Sequence, residues 1–226
     1  MVGCSLFMIK HPEQRVGIFI DTQNMYYSAR FLFKRKVHFH NIVEDAVSDR
    51  KLIRAIAYVV RTKSAEEQPF FEALEKGGIE LRQKDLMEYL SGQKKADWDV
   101  GLAIDVVRML DMLDVVVLVT GDGDYIPLVE FAKSRGRIVE VMAFRETTSS
   151  KLLETIDDYT DLSQNKRRYL IGPAARTKDV EPSEVVHKTI IDTQEPTDNE
   201  DQDTGFFMKP DDETDQDESR SRRLSF

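Results

Sequence analysis

The chain has 226 residues, 41% of them hydrophobic and 32% charged, with a formal net charge of −9. Its single cysteine, Cys4, excludes a disulfide within the chain, and no apolar run approaches the roughly 18 residues that a membrane-spanning helix needs, so a cytoplasmic protein with no membrane partner is expected. The charge is uneven: residues 172–226 hold 15 acidic and seven basic side chains, a net of −8, which leaves −1 for the first 171 residues. The acidity is therefore a property of the C-terminal tail and does not argue against a nucleic-acid ligand for the rest.

Residues 15–21, RVGIFID, form an apolar run that ends in an acid and read as a first buried strand. Met25, Ala29 and Phe33 then recur at helical spacing. Asp21 sits at the junction, where it can serve a site or cap the helix. Residues 51–60, KLIRAIAYVV, read as a second strand, and residues 65–76 as a helix with Pro69 in its first turns and Gly77-Gly78 at its end. Residues 79–84, IELRQK, are a more polar strand, nearer an edge of the sheet. A polar connection over 86–95, centred on Ser91-Gly92, leads to a helix in which Leu102, Val106, Met109 and Leu113 make one apolar stripe. Asp97 and Asp99 stand at its start, where the helix dipole favours anions. Asp105 lies about 120° further round, so Asp99 and Asp105 do not share a face.

Residues 115–119, VVVLV, are the fourth strand and empty into Thr120-Gly121-Asp122-Gly123-Asp124. Two carboxylates this close repel unless a cation lies between them, and hard oxygen ligands suit Mg²⁺ or Mn²⁺. The plainer alternative is an Asp-Gly turn with solvated acids. A helix over 126–135 opens with Pro127 and closes at Gly136, a fifth strand covers 138–143, and a last helix covers 147–159 and packs through Leu152, Leu153 and Ile156. Asp161-Leu162 closes the domain.

Alternating strands and helices predict a parallel sheet with helices on both faces, with ligands at the carboxyl ends of the strands, where Asp21 and Asp122 point. The expected organisation is an N-terminal extension (1–14), an α/β domain (15–163) and a tail (164–226) that is basic at QNKRR, then acidic and disordered. The final SRSRRLSF suits phosphorylation or docking of a protein partner, although an idle solvated tail is the simpler reading.

Three stretches together resemble the NYN domain family and its LabA-like branch: IDTQN at 20–24, KKADWDVGLAID at 94–105 and VTGDGDYIPLVEFAKSRGRIVEVMAF at 119–144. The resemblance covers residues 17–162, with the motifs in the family's order and spacing. It implies a PIN-like fold, a three-layer α/β/α sandwich around a central mainly parallel sheet. It also implies one acidic cluster that binds Mg²⁺ or Mn²⁺ and an RNA substrate. Asp21 matches the acid ending the first strand and Asn24 the asparagine of ID-x-x-N. Asp99 and Asp105 match the D-V-x-L-x-x-D helix, Asp122 and Asp124 the G-D-x-D pair, and Lys95 a lysine that precedes the helix. Thr120 replaces a common Ser, and Tyr125 a common Phe.

On this basis the expected function is metal-dependent hydrolysis of RNA phosphodiester bonds; the alternative is a non-catalytic RNA-binding or regulatory protein. Asp21, Asn24, Asp99, Asp122 and Asp124 are the candidate catalytic residues. Asp21 and Asp122 are expected to ligate the metal directly, with Asp99 and Asp124 as further or water-mediated ligands, and Asp105 as a supporting group behind them. Lys94, Lys95 and Arg145 are expected to hold the phosphate backbone of single-stranded RNA. Trp98 can stack a base or pack, and packing is expected for Tyr125. A homodimer is compatible with the sequence. A phosphatase of the haloacid dehalogenase type needs a second Asp two residues after its nucleophile, and position 23 is Gln. No P-loop, Rossmann or zinc-ligand spacing is present.

Overall fold

The computed structural model describes residues 10–61, 67–85 and 98–172, together with the backbone of two short strands between 86 and 97. In chain order the elements are β1 (Arg15–Asp21), α1 (Thr22–Phe33), β2 (Lys36–Val37), α2 (Phe39–Val47), β3 (Lys51–Arg61), α3 (Gln68–Lys76) and β4 (Glu80–Asp85). There follow β5 (Met87–Glu88), β6 (Lys94–Lys95), α4 (Asp99–Met109), β7 (Val115–Val119), α5 (Ile126–Ser134), β8 (Ile138–Ala143), α6 (Ser150–Thr155), β9 (Asp158–Asp161), α7 (Lys166–Tyr169) and β10 (Leu170–Ile171).

Six strands form one sheet in the order β4-β3-β1-β7-β8-β9, and every pairing in it is parallel. Parallel strands need crossovers, and crossovers are right-handed. The chain moves one way across the sheet from β1 to β3 to β4, and the other way from β7 to β8 to β9. Helices α1–α3 therefore cover one face and α4–α6 the other, the three-layer arrangement the sequence predicts. Both faces being covered, Val16, Ile18, Phe19 and Ile20 of β1 and all five residues of β7 are buried. The predicted stripe is buried as well: Leu102, Val106 and Met109 of α4, and Leu113 just beyond the helix, all belong to the core. β4 lies at the sheet edge, as its polar sequence suggests.

Several elements differ from expectation. The sequence reading passes over residues 34–50, which form β2 and α2; the buried residues of α2 are Phe39, Ile42, Val43 and Ala46. The predicted connection over 86–95 contains the antiparallel pair β5–β6, and Ser91-Gly92 lies outside the described residues. The first residues of the helix predicted over 65–76 are also outside them; the described helix begins at Gln68. The helix predicted over 147–159 is only α6, and Asp158–Asp161 is the edge strand β9. The helix stops because Ile156 turns extended and the Asp157 N–H donates to the Val139 carbonyl at 2.9 Å, which starts the pairing with β8.

The fold also continues past the expected boundary at residue 163. Leu170 and Ile171 pair antiparallel with Val37 and Lys36, and Tyr169 and Leu170 are buried. The Arg168 guanidinium donates to Glu44 (2.9 Å) and, at Nε, to Asp45 (2.6 Å), while the Tyr169 hydroxyl donates to Asp45 at 2.7 Å. The basic QNKRR segment is thus tied to α2. The acidic tail from residue 173 lies outside the described residues, and among the described residues no helix is long and apolar enough to cross a membrane.

Truncation after Ser163 uncovers the surface that Tyr169 and Leu170 bury, each worth about 1.5–3 kcal/mol. The shortened chain is expected to melt several degrees below the full chain in a thermal denaturation; an unchanged melting temperature would show that the clasp contributes nothing.

Candidate active site

The chain reverses its direction of travel across the sheet between β1 and β7, so a crevice opens at the carboxyl ends of these two strands. Ile20 pairs with Val119, which sets Asp21 beside Thr120. Asp21 is 9% exposed and caps α1, one carboxylate oxygen accepting the Asn24 N–H at 3.0 Å. Its other oxygen accepts the Thr120 hydroxyl at 3.4 Å. The capping role that the sequence allowed and the site role are both present in one side chain.

Thr120 is fully buried and ties two acids together: its hydroxyl oxygen accepts the Asp122 N–H at 3.2 Å while its proton goes to Asp21. Asn24 points its side-chain carbonyl at the Gly121 N–H, 3.0 Å away, and so fixes the loop that carries Asp122. Gly121 is itself hemmed in. A Cβ there would lie 2.8 Å from the Thr147 carbonyl oxygen and 3.1 Å from the Thr148 Cα, both backbone atoms, so only glycine lets the two loops close. The Asp122 carboxylate accepts the Asp124 N–H at 3.0 Å and caps a short helical turn.

Asp99 opens α4, and its carboxylate accepts the Tyr125 hydroxyl at 3.0 Å. Tyr125 is packed, as the sequence suggests, but its hydroxyl also reaches the acids. Burial, then the nearby charges of Asp21 and Asp99, push its ionisation far up, so Tyr125 stays a donor at any working pH. Asp21 is pushed up to about 6, first by burial and then by the charges of Asp99 and Asp122; the Asn24 N–H and the Thr120 hydroxyl pull the other way. The geometry links these acids through neighbours: Thr120 bonds to Asp21 and to the Asp122 backbone, and Asp99 is bonded to Tyr125, three residues beyond Asp122.

The other predicted residues divide. Asp124 is exposed at the rim, its backbone bonded to Asp122. Asp105 is engaged by other groups: it accepts the Tyr58 hydroxyl at 3.1 Å and pairs with Arg82 at 3.4 Å and Arg108 at 3.8 Å. Trp98 donates its indole N–H to the Val59 carbonyl at 2.9 Å and packs edge-on against Tyr58, with ring centroids 5.4 Å apart. Lys94 and Lys95 form β6, but their side chains lie outside the described residues. Arg145 is exposed just past the end of β8, on the same edge of the sheet as the acids. Thr120 and the Tyr125 hydroxyl are the contributors that the sequence reading left out of the site. The signal for Thr120 was its place at the end of β7, one residue before the glycine.

The donors are carboxylate oxygens, which suit a hard divalent cation. Asp21 and Asp122 form no ion pair with a Lys or Arg among the described residues, and the repulsion that raises Asp21 is what a cation would relieve. Among the described residues, no three His, Cys, Asp or Glu side chains are drawn together into a ready ligand set. The donor type alone, carboxylate oxygen, is what suits a divalent cation here.

Residues 15–163 match the family profile of the NYN domain. The chain is 27% identical over 161 residues to the low amplitude and bright protein LabA of Synechococcus elongatus, a match covering 66% of this chain and 84% of that protein. A solved structure of a protein of unknown function from Vibrio parahaemolyticus superposes with a TM-score of 0.65 at 27% identity, covering 73% of this chain and all of the other.

A raised carboxyl pKa means that the folded state holds its proton more tightly than the unfolded chain. The resulting burden is absent below about pH 3.8, grows as pH rises, and is complete above about pH 6. Asp21→Asn keeps a capping side chain and removes the buried charge, so without metal it is expected to stabilise the fold at pH 7.5 by up to about 3 kcal/mol. The gain should fade toward pH 4 in denaturant titrations. A variant less stable than wild type at pH 7.5 would contradict this electrostatic account.

Proposed function

Because the chain belongs to the NYN domain family, which groups with the PIN-like nucleases, whose members generally use divalent metals, we propose that it is a metal-dependent ribonuclease acting on single-stranded RNA. What supports the reading is that Asp21 and Asp122, at the ends of β1 and β7, are linked through Thr120, with Asp99 bonded to Tyr125 of the same loop. Asp21 and Asp122 are the residues that would hold Mg²⁺ or Mn²⁺, with Asp99 as a further ligand and Asp124 reached through water. When bound, such an ion neutralises charge developing on the phosphoryl oxygens and acidifies a water molecule. The protein's own groups then do three things. The carboxylates accept hydrogen bonds from an attacking water and orient it. Tyr125 holds Asp99 by its hydroxyl, and Thr120 keeps Asp21 and Asp122 in a fixed relation. Arg145, with Lys94 and Lys95, supplies positive charge for the RNA backbone.

The test is cleavage of a labelled single-stranded RNA with Mg²⁺, Mn²⁺ or EDTA. Wild type is expected to cleave only with metal, and Asp122→Asn to lose about a hundredfold or more in rate while remaining folded. RNA that is bound but never cleaved would favour a non-catalytic RNA-binding module instead. Tyr125→Phe keeps the buried ring and removes the hydroxyl on Asp99; about a tenfold loss in rate is expected, measured in the same assay. An unaffected Tyr125→Phe would remove the hydroxyl from the mechanism.

A further inference from the structure

A second feature lies on the same edge of the sheet, at the carboxyl ends of β8 and β9. A cavity of about 430 Å³ is lined there by Arg145, Tyr159, Asp161, Gln164, Asn165 and Tyr169. It adjoins the acid crevice through a single segment of chain. Arg145 begins that segment, and its far end packs on the acid loop, with the Ser149 N–H donating to the Gly121 carbonyl at 2.9 Å. In between, the Thr148 hydroxyl lies 3.3 Å from the Tyr159 hydroxyl in the cavity wall.

The cavity's chemistry is mixed. The Arg145 guanidinium makes no ion pair or side-chain hydrogen bond with any described residue. Asp161 supplies a carboxylate whose one oxygen accepts the Ser163 N–H at 2.8 Å and the Arg145 N–H at 3.4 Å, while its other oxygen accepts only the Gln164 amide, at 3.4 Å, among the described residues. Gln164 and Asn165 are exposed amides; the Asn165 oxygen accepts the Arg168 N–H at 3.3 Å, so Asn165 offers chiefly its NH2 as a donor. Tyr159 is anchored by donating its hydroxyl to the Ala143 carbonyl at 3.0 Å, which fixes its ring as a wall. A bare phosphate would be attracted by Arg145 but repelled by Asp161. A nucleobase meets both groups well, since its edge carries donors and acceptors side by side. Guanine does so best: O6 and N7 accept from a guanidinium, and N1–H and N2–H donate to a carboxylate. The volume suits one base with its sugar.

We propose that this cavity is a base subsite that takes a guanine from single-stranded RNA lying across the acids; the proposal rests on the ribonuclease reading. Arg145 and Asp161 read the base edge, Gln164 and Asn165 complete the hydrogen bonding, and Tyr159 flanks the ring. The subsite sets which nucleotide neighbours the cleaved bond.

The experiment uses the full chain and labelled RNA hexamers, one all-uridine and three carrying a single G, A or C. Affinity is measured in EDTA and cleavage in Mn²⁺. The guanine hexamer is expected to bind about tenfold more tightly than the others. Gln164→Ala should reduce that preference to the all-uridine level with the other affinities unchanged, whereas Arg145→Ala, which also removes charge from the RNA backbone contact, should erase the preference and weaken all four hexamers alike, with thermal melts confirming that both fold. Equal affinity for the four hexamers, or a preference that survives both substitutions, would overturn the subsite, and cleavage in Mn²⁺ would then leave the ribonuclease reading standing. Neither binding nor cleavage of any hexamer would overturn both.

Discussion

The parallel pairing of Ile20 with Val119 is the constraint on which the site depends. Two strands that run the same way must end at the same edge, and each of these is followed at once by an acid-bearing junction. Asp21 therefore reaches Thr120, and Asp122 follows two residues later. What opposes this arrangement is electrostatic: a desolvated carboxylate with the like charges of Asp99 and Asp122 nearby. The neighbouring hydrogen bonds hold the group in place without neutralising it, a combination that fits a site built to receive positive charge.

Around this edge the supports are uneven in kind. On the β3 side, Trp98 and the Tyr58–Asp105 bond tie the start of α4 and the middle of the helix to the strand, so Asp105 positions the helix that carries Asp99. On the β8 side, the Arg50 guanidinium meets Glu140 through two bonds of 2.6 and 2.9 Å and also donates to the Ala46 carbonyl. That buried ion pair joins the end of α2 to the third strand from β3, across the β1–β7 centre. Its value is geometric registration, since the cost of removing two charges from water offsets much of their attraction.

The central strands were legible because burial on both faces leaves no polar positions: IFI in β1 and VVVLV in β7 are continuous apolar runs. The acids were legible because each stands where such a run stops. Other parts were hidden for physical reasons. DYTD is an edge strand with every residue half-buried, so it carries no apolar pattern, and propensity alone extended the preceding helix through it. KRRYLI looks like the start of a charged tail, because the partners of Arg168 are Asp45 and Glu44, more than 120 positions away. The helix over residues 39–47 did carry a signal, with Phe39, Ile42, Val43 and Ala46 at helical spacing. The Tyr125 hydroxyl had none, because its partner Asp99 is on another element.

The antiparallel clasp of Leu170–Ile171 on Lys36–Val37 also bears on the order of assembly. Five of the six parallel strands have been synthesised by Ala143, so the crevice and all of its acids can form while the clasp residues are still missing. Helix α2 and its surroundings then wait for a segment made some 130 residues after β2. Closing so long a loop is slow compared with packing neighbouring elements. The nascent chain thus passes through a stage with a complete acid edge and an open flank, and that flank is the part of the finished fold that hydrogen exchange should find opening as a unit of its own.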